Sequence, residues 1–151
     1  FAGGFGIVSC VDFVIATQDS KFSISETKIG LVPAQIAPYI IEKIGIRLAK
    51  KLMLTGVLFD GSQAYQYGVV DEVLKTEKQL NTAFLKLRGR LCRNGPNATA
   101  TTKAIINVIN RLKPQERANF LANKFADCLI DDEAQEGISA FSEKRTPNWV
   151  D

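Results

Sequence analysis

The chain opens with the glycine-rich stretch FAGGFGIVSCV, residues 1–11. Adjacent glycines allow backbone N–H groups to approach a ligand closely, because no side chain stands in the way. The apolar run that follows predicts a short buried helix beginning near Gly4, with its free N–H groups and positive dipole end facing whatever lies beside Gly3. Such a helix start can bind an anion, or an oxyanion that develops during a reaction. A Gly-Gly pair is also typical of a turn or a tight packing contact.

The nearest acidic residue between apolar stretches is Glu26, in the turn SETKIG of residues 25–30. A carboxylate held partly away from water can act as a general base. A single glutamate in a loop is more often solvated surface. The two alternatives predict different surroundings: an enzyme needs Glu26 in a pocket, whereas a scaffold leaves it exposed or paired with Lys28.

The composition is typical of one globular domain. The chain has 151 residues, of which 46% are hydrophobic and 23% charged, a balance that argues against disorder. A net charge of +3 with scattered Lys and Arg gives no reason to expect a nucleic-acid partner. No apolar run approaches the roughly 18 residues of a membrane span, so no membrane partner is expected.

The chain contains no histidine, which excludes Ser-His-Asp and Cys-His nucleophile systems and histidine metal sites within these residues. Cys10, Cys92 and Cys128 lie far apart and are odd in number. They predict buried thiols in a reducing compartment rather than a disulfide framework, and no metal site. Because Met53 is the only methionine and the chain opens inside a glycine loop, we expect a fragment or processed product with a substantial part upstream.

The patterns of apolar and turn-forming residues divide the chain near Lys75. Before it they predict strands over 12–16, 21–24 and 69–73, and helices from about Ala37 to 43, from 46 to 55, and from an N-cap at Ser62 to Gly68. After it they predict helices over 77–92, 97–112, 114–130 and 132–144, with Asn97 capping the second and Leu121, Phe125 and Cys128 facing inward on the third. We therefore expect an α/β part, 1–74, and a helical part, 75–151.

These residues, in this order, resemble the enoyl-coenzyme A hydratase/isomerase family, also called the crotonase family. The resemblance covers almost the whole chain but only the second half of a family member. Each piece is weak alone, whereas the collinear set is specific. The matching pieces are the glycine loop with Asp12, then 22–26, 29–33, 54–56, 68–70, Lys103 and 136–147.

The resemblance implies the second half of a crotonase (ClpP-like) β-β-α spiral, followed by a helical oligomerisation region. Gly3 falls where the family places one of two backbone N–H donors to the thioester oxygen, and Gly4 follows it into the helix. The second donor and most of the coenzyme A site belong upstream. Glu26 falls on the second of two catalytic glutamates, and the first would fall at Gly6, where this chain has no side chain.

The resemblance also implies partners. Phe141 and Lys144 fall in the segment that packs near the coenzyme A of a neighbouring subunit, in a trimer or a hexamer built as a dimer of trimers. The partner molecule is an acyl-coenzyme A thioester, and no cofactor is expected beyond the coenzyme A that the substrate carries. The expected compartment is the cytoplasm of a bacterium, or the mitochondrial matrix of a eukaryote.

The function that the resemblance implies is hydration of a 2-enoyl thioester, with Gly3 polarising the carbonyl and Glu26 exchanging the α-proton. The segment 33–39 and the glycine at position 6 look like hydratases of 3-methylglutaconyl- or isohexenylglutaconyl-coenzyme A in leucine and terpenoid breakdown. Double-bond isomerisation with one glutamate is the alternative within the family. A non-catalytic oligomerisation role is the alternative outside it. The 151 residues alone are expected to be inactive, because they hold at most one oxyanion donor.

Overall fold

The computed structural model describes residues 1–150. By its internal contacts the chain forms two compact units, Phe1–Leu85 and Lys86–Asp151. The boundary in the sequence falls within the helix Glu77–Leu91, and each unit is described by itself. The division into an α/β domain, 1–74, and a helical domain, 75–151, stays a prediction.

The first unit mixes helices with short strands. Its elements are, in chain order, α1 (Gly3–Cys10), β1 (Ile15–Thr17), β2 (Lys21–Phe22), a 3-10 helix (Glu26–Ile29), α2 (Ala37–Thr55), β3 (Phe59–Asp60), α3 (Gly61–Gln66), β4 (Glu72–Leu74) and the start of α4 (Glu77–Leu91). Within residues 1–150 the strands form two small sheets. β1 pairs in parallel with β4, with Ala16 opposite Val73, and β2 pairs antiparallel with β3, with Phe22 opposite Phe59.

The strands differ from the sequence prediction. β1 begins three residues later than expected, because the backbone N–H of Val14 donates to the Asp71 carboxylate (2.7 Å) instead of to a ladder partner. The pairing with β1 includes Glu72–Leu74, whereas the strand was expected over 69–73. Val69 and Val70 are buried as the chain leaves α3, so their apolar character reflects the core rather than a strand. β3 was not predicted.

An aromatic cluster forms the centre of this unit. Phe5 from α1 contacts Phe22 and Phe59 edge-on, with ring centroids 6.3 and 5.9 Å apart, and Phe22 stacks on Phe59 at 5.7 Å. Such pairs add roughly 0.5–1.5 kcal/mol each to the burial of their apolar area. Because Phe5 follows the glycine pair and Phe22 precedes Glu26, the cluster holds both segments on one core.

Helix α2 bends and ends at glycines, whereas the start of α3 depends on a side-chain cap. Gly45 has φ 75° and ψ 156°, which breaks α2 where one helix was expected to end and the next to begin. Gly56 ends α2 with φ 54°, as predicted. The expected cap at Ser62 is wrong. Asp60 caps α3 instead, since its carboxylate accepts from the Gln63 N–H while the Gln63 side chain accepts from the Asp60 N–H.

The second unit contains the end of α4, then α5 (Pro96–Ile109), α6 (Pro114–Leu129) and α7 (Asp132–Glu143), close to the expected helices. Asn97 does not cap α5. Both oxygens of Glu133, from α7, accept from the N–H groups of Asn97 and Ala98 at 2.8 Å, so the helix start is satisfied by a distant side chain. The inward face predicted for α6 is also wrong for Leu121 and Phe125, whose side chains are 40% and 67% exposed.

The segment after α7 is tied to the second unit. The Arg145 guanidinium forms a two-pronged ion pair with Glu136 at 2.6 and 2.9 Å, and the Asn148 N–H donates to the same carboxylate at 2.9 Å. The Trp149 Nε1–H donates to the Arg93 carbonyl at 3.2 Å, and its ring lies over Gly137. Trp149 therefore has partners within the second unit.

Candidate functional site

A cavity of about 290 Å³ brings Gly3 and Glu26 together in the first unit. Its remaining wall is the segment that leads from the 3-10 helix into α2, residues 31–36. Sequence reasoning singled out Gly3 and Glu26 separately, and the structure places both on one cavity. Gly4 is exposed in the first turn of α1.

Gly3 is the first residue of α1, so its N–H has no acceptor within the helix. Ala2, which precedes it, has φ 47°, a conformation that costs energy for a residue with a side chain. The Ala2 N–H donates to the Ser23 carbonyl at 3.2 Å, three residues before Glu26. This strained link fixes the start of α1 beside the segment that carries the carboxylate.

The glycines of α1 differ in how closely their surroundings pack against them. A Cβ added to Gly3 or Gly4 would meet nothing within 4 Å, whereas a Cβ on Gly6 would overlap the side chain of Ile36. The tight packing contact that a glycine pair can signal is therefore absent at Gly3 and Gly4 and present at Gly6. Gly3 and Gly4 leave open space at a helix start, and that space is available to a ligand.

The Glu26 side chain is half-buried, and its Oε2 atom is buried without a hydrogen-bond partner among the described residues. No ion pair joins it to Lys28 within that part of the chain. The aliphatic carbons of Lys28 lie instead over Gly56, where an added Cβ would come within 2.9 Å of Cε. A buried carboxylate oxygen without a donor costs free energy, and such groups are concentrated at functional sites.

Two hydroxyl groups hold the 3-10 helix that carries Glu26. Ser23, which is buried, donates to the Gly56 carbonyl at 3.1 Å, and Thr27 donates to the Met53 carbonyl at 3.1 Å. Both acceptors lie at the end of α2. Gly30 then ends the 3-10 helix with φ 77°, and the Leu31 N–H returns to the Glu26 carbonyl at 3.0 Å. The backbone of Glu26 is thus held from both sides, as a positioned acid–base group requires.

Comparison with known proteins assigns the chain to a family. The family model described as "Enoyl-CoA hydratase/isomerase" matches residues 1–151. The chain belongs to the enoyl-CoA hydratase/isomerase family. Its resemblance to that family, and the crotonase fold that the resemblance implied, are confirmed.

The relatives include a carnitinyl-CoA dehydratase of Citrobacter koseri, 26% identical over 99% of this chain and 59% of its own length. AtuE of Pseudomonas aeruginosa is 35% identical, with a TM-score of 0.95 over 99% of this chain and 58% of its own. An enoyl-CoA hydratase/isomerase of Marinobacter aquaeolei is 36% identical, also with a TM-score of 0.95, over 99% and 57%. The chain therefore spans less than two thirds of the length of these relatives.

Phe141 and Lys144 lie at the end of α7, in the second unit of this enoyl-CoA hydratase/isomerase family member. The Phe141 side chain is 86% exposed and lines a separate, mainly apolar cavity of about 380 Å³ with Ile138 and Trp149. Lys144 ends the helix in the left-handed conformation, with φ 56°. An exposed aromatic ring and a cation three residues apart are suited to a nucleotide, and their role stays a prediction.

The cysteines, the possible metal ligands and the helices of the family member were also predicted from the sequence. Cys10 and Cys92 are exposed, so the prediction of buried thiols is wrong for both, and Cys128 is half-buried. Among residues 1–150, no three His, Cys, Asp or Glu side chains come together as a metal site would require. Every helix in that range is too short or too polar to cross a lipid bilayer.

Sequence reasoning did not identify the residues that support the site. Ser23 and Thr27 look like ordinary polar residues beside a turn, and only their distant acceptors reveal their role. The contact of Gly6 with Ile36 joins positions thirty residues apart, which no local pattern indicates. The loss of a side chain at position 6 was visible in the sequence, but not what fills its place.

Proposed function

We propose that the protein hydrates a 2-enoyl thioester of coenzyme A, with Glu26 as the acid–base group. The observation that carries the proposal is the buried, unpartnered Oε2 of Glu26 in a cavity that Gly3 also lines. Membership of the enoyl-CoA hydratase/isomerase family supports the thioester as the substrate class. No cofactor is proposed beyond the coenzyme A that the substrate carries.

In the proposed reaction the thioester oxygen accepts from the Gly3 N–H at the start of α1. Attack of water at C3 moves the C2–C3 π electrons toward that oxygen, and the helix start stabilises the negative charge that develops. Glu26 delivers a proton to C2, and the proton that water loses restores the Glu26 carboxyl. The product carries OH on C3 and one additional hydrogen on C2.

The proposal extends to branched acyl groups of the 3-methylglutaconyl or isohexenylglutaconyl type. Among the residues that line the cavity, Glu26 supplies the carboxylate. Gly6, which packs behind the cavity-lining Ile36, supplies no side chain. A substrate with a second carboxylate brings its own group to hold the attacking water. This would compensate for the absent first glutamate.

The cavity's single carboxylate also supports a second candidate, isomerisation of a 3-enoyl to a 2-enoyl thioester. In that reaction Glu26 removes a proton from C2 and returns it to C4, and no water is added. A non-catalytic oligomerisation role is the remaining alternative, and it gives no reason for a buried carboxylate oxygen without a partner.

The native full-length protein decides among these functions when it is incubated with crotonyl-CoA or 3-butenoyl-CoA in H₂¹⁸O. Hydration of crotonyl-CoA gives a 3-hydroxyacyl product that contains ¹⁸O, as mass spectrometry detects. Conversion of 3-butenoyl-CoA to crotonyl-CoA without ¹⁸O, and without hydration of crotonyl-CoA, would instead identify an isomerase. Recovery of both thioesters unchanged would contradict catalysis on them.

We further propose that a neighbouring subunit of a trimer or hexamer brings Phe141 and Lys144 to the nucleotide part of the substrate. An aromatic face stacks on adenine, and an ammonium group pairs with phosphate. We also propose that the 151 residues alone have no turnover, since a second oxyanion donor is required from elsewhere in the protein.

A further inference from the structure

The cavity beside Glu26 owes part of its wall to a contact between two elements. Ile36 lines the cavity and also rests against α1 at Gly6, which is buried. A Cβ built on Gly6 would overlap the Ile36 Cγ2 atom and lie 3.0 Å from its Cβ. The Ile36 side chain therefore occupies the space that any side chain at position 6 would need.

The backbone of α1 cannot retreat from this contact at low cost. Phe5, the residue before Gly6, is 1% exposed and packs edge-on against Phe22 and Phe59. The Gly6 N–H donates to the Ala2 carbonyl at 3.2 Å, within the first turn of the helix. Moving α1 outward would break the aromatic packing that centres the unit.

The backbone of Ile36 is held as well. Its N–H donates to the Pro33 carbonyl at 3.2 Å, and its carbonyl accepts from the N–H of Ile40, a fully buried residue of α2, at 3.1 Å. Ile36 is branched at Cβ, so few rotamers are open to it. A side chain at position 6 would therefore force the Ile36 Cγ2 atom out of its place and press on Ile36 Cβ at 3.0 Å. The Ile36 side chain also borders the cavity, and the free space for its displaced atoms lies there.

We propose that Gly6 and Ile36 act as a steric pair that sets the width of the cavity beside Glu26, and thereby selects the acyl group of the substrate. The absence of a side chain at position 6 lets Ile36 lie back against α1, which leaves room for a branched acyl chain. This inference rests on the proposed function, because it places the acyl chain in this cavity.

The test compares Gly6→Ala, Ile36→Ala and the double variant in the native full-length protein. Gly89→Ala is the matched control, because Gly89 is exposed in α4 and an added Cβ meets nothing within 4 Å. The probes are butyryl-CoA and isovaleryl-CoA, saturated thioesters that bind without reacting and differ by one methyl branch. Isothermal titration calorimetry gives the Kd of each, and circular dichroism checks that each variant is folded.

We expect Gly6→Ala to raise the Kd of isovaleryl-CoA about tenfold more than that of butyryl-CoA, since one methyl group in an apolar pocket is worth at least that factor. Ile36→Ala should instead favour isovaleryl-CoA by a similar factor. The quantity compared is the ratio of the Kd of isovaleryl-CoA to that of butyryl-CoA. Between Ile36→Ala and the double variant this ratio should change by less than about threefold, because the side chain that the added methyl would displace is gone. Gly89→Ala should leave the ratio unchanged.

Additive effects of the two substitutions, or an unchanged ratio in folded Gly6→Ala, would overturn the proposal. If Gly6→Ala does not fold, an unchanged ratio in Ile36→Ala overturns it alone. Binding of neither thioester by the wild type would defeat the proposed function and this inference together. Normal turnover by Glu26→Gln, with the ratios changed as expected, would defeat only the acid–base role and support the steric pair.

Discussion

At the scale of single residues, packing requires one of the glycines at the start of α1 and does not require the other two. Gly6 is required by its neighbour, since a Cβ there would overlap Ile36. Gly3 and Gly4 have no such neighbour, and the fold does not need their lack of a side chain for internal packing. In the proposed function, the thioester oxygen of the substrate occupies the open space at this helix start.

Replacing Gly3 with alanine should therefore affect stability and activity in opposite directions. Alanine lowers the entropy cost of a helical position relative to glycine, by roughly 0.5–1 kcal/mol in a helix interior and by less at the first residue, and a Cβ at Gly3 meets nothing within 4 Å that offsets this gain. The new methyl group stands beside the proposed oxyanion donor, so kcat/KM should fall about tenfold or more. Thermal melts and steady-state assays of the native protein measure both effects. A fall in Tm together with the activity would show that Gly3 is a structural residue.

Part of the site follows from local sequence and part does not. The glycine loop and Glu26 are visible as a helix start and as an acidic residue between apolar stretches. That Gly3 and Glu26 face one cavity depends on the aromatic contacts of Phe5 with Phe22, across seventeen positions, and on the link from Ala2 to Ser23. Such non-local contacts carry no periodic pattern, so only the resemblance to the family anticipated the pairing.

At the scale of elements, the helices were predicted more closely than the strands, of which three overlap the predicted ranges and β3 was missed. Helices such as α6 and α7 begin at a proline or after an aspartate, and these local signals mark them in the sequence. The strands are two or three residues long and are defined by partners more than thirty positions away. The start of α5 shows the same limit, because its capping carboxylate comes from Glu133 in another helix.

The segment after α7 should detach from its helix in acid. Hydrogen bonds from Arg145 and then from the Asn148 N–H lower the pKa of Glu136 from 4.5 to about 2. A carboxyl whose pKa is lower in the folded state contributes stability above its ordinary pKa, and this is lost as the pH falls from about 4.5 toward 2. Trp149, the only tryptophan, reports the change by its fluorescence, which should shift to the red over that range.

Two variants make the acid transition specific. Glu136→Gln cannot titrate at this position, so the transition between pH 4.5 and 2 should disappear. Glu143→Gln is the matched control, because it removes the negative charge that lies 2.7 Å from Arg145 Nε but keeps the two-pronged pair with Glu136. A transition that is the same in the wild type and in Glu136→Gln would show that another group controls it.

At the scale of the whole molecule, the second unit exposes many large apolar side chains. They include Ile106, Phe125, Ile130 and Phe141, each more than 60% exposed. Large apolar side chains exposed in this number are often covered by a partner. We expect the native protein to be a trimer or a hexamer with helices of this unit in the subunit contact.

Multi-angle light scattering at micromolar concentration measures the expected assembly. Phe141→Ser should weaken it, since the residue is largely exposed on the apolar side of α7 and would be buried in the contact. Phe13→Ser, at an exposed phenylalanine of the first unit, is the matched control and should leave the mass unchanged. A monodisperse monomer in the wild type would exclude the trimer, and with it a role for Phe141 and Lys144 at a neighbour's coenzyme A.

The central claim is that the partly buried carboxylate of Glu26 moves the proton at C2 of a 2-enoyl thioester. Its most direct test is Glu26→Gln in the native full-length protein, since glutamine keeps the size of the side chain and cannot exchange a proton. We predict that kcat with a 2-enoyl-CoA substrate falls by roughly 10²–10⁴ while the Kd for butyryl-CoA changes little. A kcat close to that of the wild type, with binding intact, would contradict the account.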